Sequence, residues 1–297
     1  MNYLCTMFYS TNSLKEIKEK AIADLSAFYH VHEAHNMVNQ LIRHLLGMSR
    51  VDQQLDRDKR LSESEMVLFH KAMKRLLAME PLQYVVGHTD FYGLTLEVGP
   101  GVLIPRPETE EMVHRILCEK LPEKISVLDM GTGSGCIALA LKSERTAWEV
   151  MAVDVSHEAI RQAEKNSEKT GLAVDFRWCD ILQVTGCLKK TGKKFDLIVS
   201  NPPYVSHAEK KFMAGNVLKY EPEAALFVPD EDPLLFYRQM ITFSKEALLP
   251  QGLLFFEVNE NFASQTAALL ENSLFYPPEI IRDIRGKQRF IRARKRG

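Results

Sequence analysis

Hydrophobic positions in the first part of the chain recur at helical spacing: Leu14, Ile17, Ala21 and Leu25, then Val38, Leu41, Ile42 and Leu45. Ser62-Glu63-Ser64-Glu65 stands before Met66-Val67-Leu68, which suits an N-cap followed by acidic residues in a first helical turn. Few glycines or β-branched runs interrupt this stretch, so residues 1–84 read as a small all-α bundle. Pro81 ends it, and the period of the pattern changes from helical to two. Phe91–Val98 alternates as a strand does, and Gly99-Pro100-Gly101 is placed to turn it into Val102-Leu103-Ile104, so residues 85–105 read as a linking β-hairpin. Pro107-Glu108 then fits the first turn of a helix. Over residues 106–297 the expected strands are Ser126–Asp129, Glu149–Asp154, Val174–Trp178, Phe195–Ser200, Gly252–Val258, Glu279–Asp283 and Arg289–Arg294. Helix-length segments separate the first four, as parallel crossovers require. The last two lie close together and should pair antiparallel. The fold class is therefore α/β, with no internal repeat.

The run Phe195–Ser200 is apolar enough to be buried on both faces, and it closes on Asn201-Pro202-Pro203-Tyr204. Two prolines remove two backbone donors and fix φ, so neither helix nor sheet continues through them. The turn is rigid and stands at the carboxyl end of a parallel strand, where open α/β sheets place ligands. An amide side chain, proline carbonyls and an aromatic face suit a flat, neutral NH2 group: carbonyls accept its two N–H bonds and the ring covers its plane. A Pro-Pro-Tyr turn alone is more often a plain loop. A second motif upstream changes that reading.

That motif is Val127-Leu128-Asp129-Met130-Gly131-Thr132-Gly133-Ser134-Gly135, a strand running into a glycine-rich turn and then the helical run Ile137–Leu141. Glycines allow positive φ and let a ligand approach the backbone. A dinucleotide fingerprint would need glycine where Cys136 stands, and the Gly-Lys-Ser/Thr of a P-loop is absent. The spacing suits a ligand without a pyrophosphate, such as S-adenosylmethionine, whose amino acid end would lie along Gly131, Thr132, Gly133, Ser134 and Gly135. Asp154 ends the next strand and could accept both ribose hydroxyls. Asp180 could accept from an adenine amine, with Ile181 packed on the ring. Each carboxylate taken singly is as readily a helix cap.

These residues, with Pro81-Leu82-Gln83-Tyr84, Gly87, the block Leu103-Ile104-Pro105-Arg106-Pro107-Glu108-Thr109-Glu110, Glu221-Pro222, Ala225-Leu226, Asp283, Gly286 and Arg289, resemble the HemK/PrmC-type peptide chain release factor glutamine methyltransferases. The Ile-Pro-Arg-Pro-Glu-Thr-Glu block is the specific part, since DNA adenine methyltransferases share Asn-Pro-Pro-Tyr. Two departures stand out: Asn259 where the family usually has glycine, and Ile181 where an aromatic is common. The resemblance implies a Rossmann-like, mixed seven-stranded sheet that binds S-adenosylmethionine. It implies that Asn201 and the Pro202 carbonyl hold a glutamine amide, with Pro203 and Tyr204 completing the substrate side. Asn201 also borders the cofactor, which Asp154, Asp180 and Ile181 line. The implied substrate is the Gly-Gly-Gln loop of class 1 release factors, docked by the bundle, with an effect on translation termination.

Composition narrows the alternatives. A 297-residue chain, 45% hydrophobic and 26% charged, is that of a globular protein, and no run reaches the roughly 18 apolar residues of a spanning helix. Met1–Thr6 lacks the pattern of a secretory signal. The five cysteines, Cys5, Cys118, Cys136, Cys179 and Cys187, form no C-x-x-C pair, which favours a reducing, cytoplasmic location. A net charge of −1 counts against a nucleic-acid substrate and a membrane surface alike. The expected enzyme is a monomer. His30, His32 and His35 lack a cysteine or carboxylate constellation, so solvated or capping roles are the default and no metal is expected. The basic tail Arg292–Arg296 is expected to be a solvated terminus. Rival readings are a methyltransferase for a ribosomal-protein glutamine or an adenine amine, and a cofactor sensor without chemistry.

Overall fold

The computed structural model describes residues 9, 11–189, 192–271 and 274–297. Met1–Thr6, Cys5 among them, lies outside the described residues. The chain folds as two units.

The first unit runs to Gly87 and also takes in Ala214–Tyr220. Its helices are α1 (Leu14–Leu25), α2 (Val31–Leu46), α3 (Arg50–Leu55), α4 (Glu63–Leu77) and α5 (Leu82–Val86). Leu14, Ile17, Ala21 and Leu25 are the buried face of α1, as their spacing demands. In α2, Val38, Leu41 and Ile42 are buried, whereas Leu45 is only half covered. Ser62 caps α4 through a reciprocal box with Glu65: Oγ accepts from the Glu65 N–H, and Oε2 accepts from the Ser62 N–H at 2.7 Å. Residues 214–220 return to this unit late in the chain, where the Tyr220 hydroxyl donates to the Ala78 carbonyl at 2.7 Å. Nothing in the amphipathic pattern announces that return.

The second unit is built on β3 (Ser126–Met130), β4 (Glu149–Asp154), β5 (Asp175–Trp178), β6 (Phe195–Ser200), β9 (Leu248–Glu257), β10 (Glu279–Arg282) and β11 (Gln288–Arg294). The order is β10-β11-β9-β6-β3-β4-β5, the mixed seven-stranded sheet expected. β5, β4, β3, β6 and β9 are mutually parallel; β11 runs antiparallel to both β9 and β10. Alternate residues of the central strands feed two cores. Leu128, Met130 and Ile198 face one, Val127, Leu197 and Val199 the other, and this is why the strands read as continuous apolar runs. Crossovers run through α7 (Cys136–Glu144) and α8 (His157–Thr170), with α6 (Pro107–Leu117) ahead of β3 and α12 (Leu235–Ala247) ahead of β9. The short β7 (Val205–Ser206) and β8 (Phe227–Val228) pair parallel beside the loop after β6. The remaining helices are α9 (Val184–Lys189), α10 (Gly215–Tyr220), α11 (Glu223–Leu226) and α13 (Ala263–Ala268).

Two expectations are corrected. The hairpin is β1 (His88–Phe91) against β2 (Leu94–Glu97), so it turns at Tyr92-Gly93 and not at Gly99-Pro100-Gly101. Both turn residues have positive φ, 46° and 78°, the geometry that matches the twist of a two-residue hairpin. The hairpin is tied to α8. Asn166 of α8, fully buried, accepts from the Glu97 N–H at 2.7 Å and donates to the Glu97 and Ser134 carbonyls. The tail is likewise not a solvated terminus. Arg292 and Arg294 belong to β11 and pair with Glu119, while Lys295 Nζ donates to the Lys245 and Leu248 carbonyls at 2.7 Å.

Candidate active site

The glycine turn follows β3 at the carboxyl edge of the sheet. Gly131, Gly133 and Gly135 all have positive φ, and the Gly131 and Thr132 N–H groups donate to the Val153 carbonyl of the next strand. At Gly135 a Cβ would lie 3.1 Å from Ala163 and 3.2 Å from Leu139, so α7 starts only where the residue has no side chain. A Cβ on Gly131 would lie 3.4 Å from Ile181 Cδ1 and 4.0 Å from the Asn201 carbonyl oxygen. The ends of β3, β5 and β6 therefore meet at one point.

Asp154 ends β4 and is mostly spoken for by backbone. Its Oδ2 accepts from the Gly133 N–H at 2.9 Å and its Oδ1 from the Ser156 N–H at 2.8 Å. Burial pushes its carboxyl up, and these N–H donors pull it back. Each oxygen keeps a further lone pair for an incoming hydroxyl. Asp180 caps a 3₁₀ turn, Ile181–Gln183, by accepting from the Leu182 N–H at 2.9 Å. Asp129 is fully buried and accepts the Thr132 hydroxyl on Oδ2 at 2.7 Å, while its Oδ1 and the Ser134 Oγ are buried with no partner within the protein. A glycine cradle with an unpaired buried acceptor and a carboxylate at its rim fits the ammonium and ribose hydroxyls of S-adenosylmethionine.

The other side of the crevice is held from behind. Asn201 Nδ2 donates to Thr109 Oγ1 at 3.0 Å, and the Thr109 hydroxyl donates to Glu257 Oε2 at 2.8 Å. Tyr204 donates its hydroxyl to Glu257 Oε1 at 3.0 Å, which ties the Pro-Pro-Tyr turn to the buried carboxylate. Pro202 is buried, and Asn201, Pro203 and Tyr204 are half-buried. Tyr237 closes the cluster by donating to the Glu257 carbonyl at 3.1 Å. Glu257 is 1% exposed, and burial pushes its carboxyl up to about 7 against the pull of Thr109, Tyr204 and Arg289. The loop before α6 is fixed separately: buried Glu221 accepts from the Ile104 N–H at 3.1 Å and from Arg106 at 2.6 Å.

Residues 16–87 match the PrmC N-terminal domain and residues 111–226 the Methyltransferase small domain. The chain is 42% identical to the release factor glutamine methyltransferase of Bacteroides thetaiotaomicron over 84% of its own length and 89% of the relative's. The chain belongs to the release factor glutamine methyltransferase family. Its likeness to the Flavobacterium psychrophilum member is 36% over 94% of this chain and 98% of that one; to the Streptococcus pneumoniae member it is 42% over 66% and 68%.

Within this family member, sequence reasoning missed Thr109 and Glu257 as site residues. Thr109 read as part of a motif and Glu257 as one residue of the strand Gly252–Val258. A signal for Glu257 existed, in a carboxylate closing the wholly buried run Leu253–Phe256 at a carboxyl edge. Asn259, the departure from the family's glycine, donates to the Tyr204 carbonyl at 3.2 Å and to Glu209, so it braces the Pro-Pro-Tyr turn. Among the described residues no cluster of His, Cys, Asp and Glu could hold a metal, and no helix is long and apolar enough to cross a membrane.

Proposed function

We propose that this protein transfers a methyl group from S-adenosylmethionine to the side-chain amide nitrogen of the glutamine in the Gly-Gly-Gln loop of class 1 release factors, so modulating translation termination. The observation that carries the reading is the Asn201 amide. Its NH2 donates to Thr109 Oγ1 at 3.0 Å, which leaves Oδ1 as an acceptor, and its backbone carbonyl oxygen would lie 4.0 Å from a Cβ on Gly131 of the glycine turn.

An amide nitrogen is a weak nucleophile because its lone pair is delocalised into the carbonyl. Asn201 Oδ1 and the Pro202 carbonyl accept its two N–H bonds, fix its plane and stabilise the positive charge that grows on nitrogen, which is discharged when one of those protons is lost to solvent as the product leaves. The rigid Pro202-Pro203 turn, anchored by the Tyr204 hydroxyl on Glu257, holds it in line, a positioning effect worth several orders of magnitude in rate. Gly131, Thr132, Gly133, Ser134 and Gly135 hold the methionine end of the cofactor, Asp129 its ammonium, Asp154 the ribose hydroxyls, and Asp180 with Ile181 the adenine. When bound, S-adenosylmethionine supplies an electrophilic methyl on a sulfonium, whose charge disperses as the methyl leaves, so a crevice that excludes water favours transfer. The helical unit, which matches the PrmC N-terminal domain, is assigned to docking the release factor.

Incubating purified release factor with the enzyme and isotope-labelled S-adenosylmethionine, followed by peptide mass spectrometry, tests the assignment. The expected result is a single methyl on the glutamine of the Gly-Gly-Gln peptide. Label on any other residue, or no label, overturns it.

A further inference from the structure

We propose that Glu257, acting through the Thr109 hydroxyl, is a positioning residue that sets which end of the Asn201 amide faces the substrate, and that it does so only while ionised. The inference rests on the reading of Asn201 as the acceptor for a substrate amide, and deepens it.

An asparagine amide has two ends of nearly the same shape, so packing alone does not choose between them. The choice here is made by proton counting. A carboxylate can only accept. Glu257 therefore draws the hydroxyl protons of both neighbours, Thr109 on Oε2 and Tyr204 on Oε1. A threonine hydroxyl has one proton, and once that is given to Glu257 its oxygen can only accept from Asn201. Asn201 must then turn its NH2 inward, as it does at 3.0 Å, and its carbonyl outward. The chain of donors runs one way, from Asn201 to Thr109 to Glu257.

A proton on Glu257 undoes the constraint. The carboxylic acid can donate to Thr109, which is then free to donate to Asn201 in turn. The amide that accepts from Thr109 shows its NH2 to the crevice, where it opposes the NH2 of the substrate. Donor facing donor forfeits the acceptor on which the reaction geometry depends. The groups facing Glu257 are Thr109 and Glu108 on α6, Cys136 on α7, Tyr204 on the loop after β6, Tyr237 on α12 and Arg289 on β11. Arg289 favours the ionised form and Glu108 opposes it, while burial is the largest influence and sets the midpoint at about 7. The methyl-transfer rate should thus rise with pH through that midpoint and level off above it.

Two substitutions at Thr109 separate this role from packing. Thr109→Val keeps the shape and loses the hydroxyl; Thr109→Ser keeps the hydroxyl and loses a methyl. With release factor and S-adenosylmethionine both saturating, Thr109→Ser should turn over within about twofold of wild type and Thr109→Val at least about tenfold more slowly, with calorimetric cofactor affinity unchanged in both. The reverse order, or equal losses, overturns the relay. Glu257→Gln supplies the second arm. Its rate, whatever its level, should lose the acidic limb seen in wild type; a limb retained in that variant overturns the role of Glu257. The Asn201 side-chain amide, observed by NMR in protein carrying nitrogen-15 at asparagine, reads the relay with no substrate present. Its signal should titrate near the Glu257 midpoint in wild type and stay fixed in Glu257→Gln. Failure to methylate release factor with this titration intact would remove the proposed substrate and leave the relay standing; an amide signal that ignores pH removes the relay.

Discussion

Asp129 and Glu257 are both buried carboxylates held by a threonine hydroxyl, and burial pushes both up to about 7. Their neighbourhoods differ. Asp129 takes its hydroxyl from Thr132, three residues on, in a turn whose other contacts are mostly backbone to backbone. Glu257 takes its hydroxyls from Thr109 and Tyr204, 148 and 53 residues away. The glycine turn proposed to cradle the cofactor is thus a short piece of chain with glycines in set places, joined at its rim by Asp154. The proposed substrate side is assembled from three separate segments, and no one of them carries its geometry alone. A turn held by near neighbours tolerates change elsewhere; a site made by a relay transmits change from any of its members.

The largest effect is expected on the relay side. Asn201→Asp nearly keeps the shape, but the new carboxylate has no proton to offer Thr109, whose own proton is held by Glu257. It should turn away from the reactive pose, and misplacement of that kind costs about 100-fold in rate. Single-turnover methylation should show this while cofactor affinity stays near wild type; a wild-type rate would take Asn201 out of the mechanism. On the proposed cofactor side, Asp154→Ala removes the carboxylate assigned to the ribose hydroxyls and also the clamp on the Gly133 N–H. Loss of a charged hydrogen bond is worth about 1.5–3 kcal/mol, so calorimetry should find affinity for S-adenosylmethionine weaker by about tenfold or more. Unchanged affinity would sink the ribose role and make Asp154 a brace for the turn.

How much could be read beforehand follows the same division. The glycine turn, Asp154 and Asn201–Tyr204 are each contiguous in sequence and end parallel strands, so their meeting at one edge of the sheet was legible. So was the sheet, because its central strands are covered on both faces and read as apolar runs. Thr109, Glu257 and the strip 214–220 were not, since their roles exist only once distant segments meet. The hairpin turn was misplaced because Gly-Pro-Gly is the stronger turn signal in composition. Tyr92, a bulky residue at positive φ, is not one that composition nominates for a turn.

The smallest effect concerns stability, and it is shared by the two sides. A carboxyl whose folded pKa is raised binds its proton more tightly in the native state. Its contribution is therefore full below the unfolded value and is lost as pH rises through about 7. Asp283 works the other way: its carboxyl is held low by the Lys287 and Arg285 N–H groups and by Arg289, against burial, so its contribution is lost only in acid. Between about pH 6 and 8 the raised pair should make the protein less stable at the upper end, and Glu257→Gln should shrink that difference. Denaturant unfolding at the two pH values checks it. A difference that survives Glu257→Gln undiminished would leave Asp129 as its source.

The late return of residues 214–220 to the helical unit bears on how this protein can be cut, exchanged and synthesised. A boundary drawn at Gly87 looks natural on paper, yet the unit before it also owns a strip that the ribosome makes more than a hundred residues later. A chimera that swaps the first 87 residues for those of a relative keeps the host's Tyr220 and asks its hydroxyl to find a foreign carbonyl in place of that of Ala78. A working exchange therefore moves two pieces of gene, not one. On the ribosome the same arithmetic means that the helices can gather early, but the unit is complete only after β3, β4, β5 and β6 have all been made.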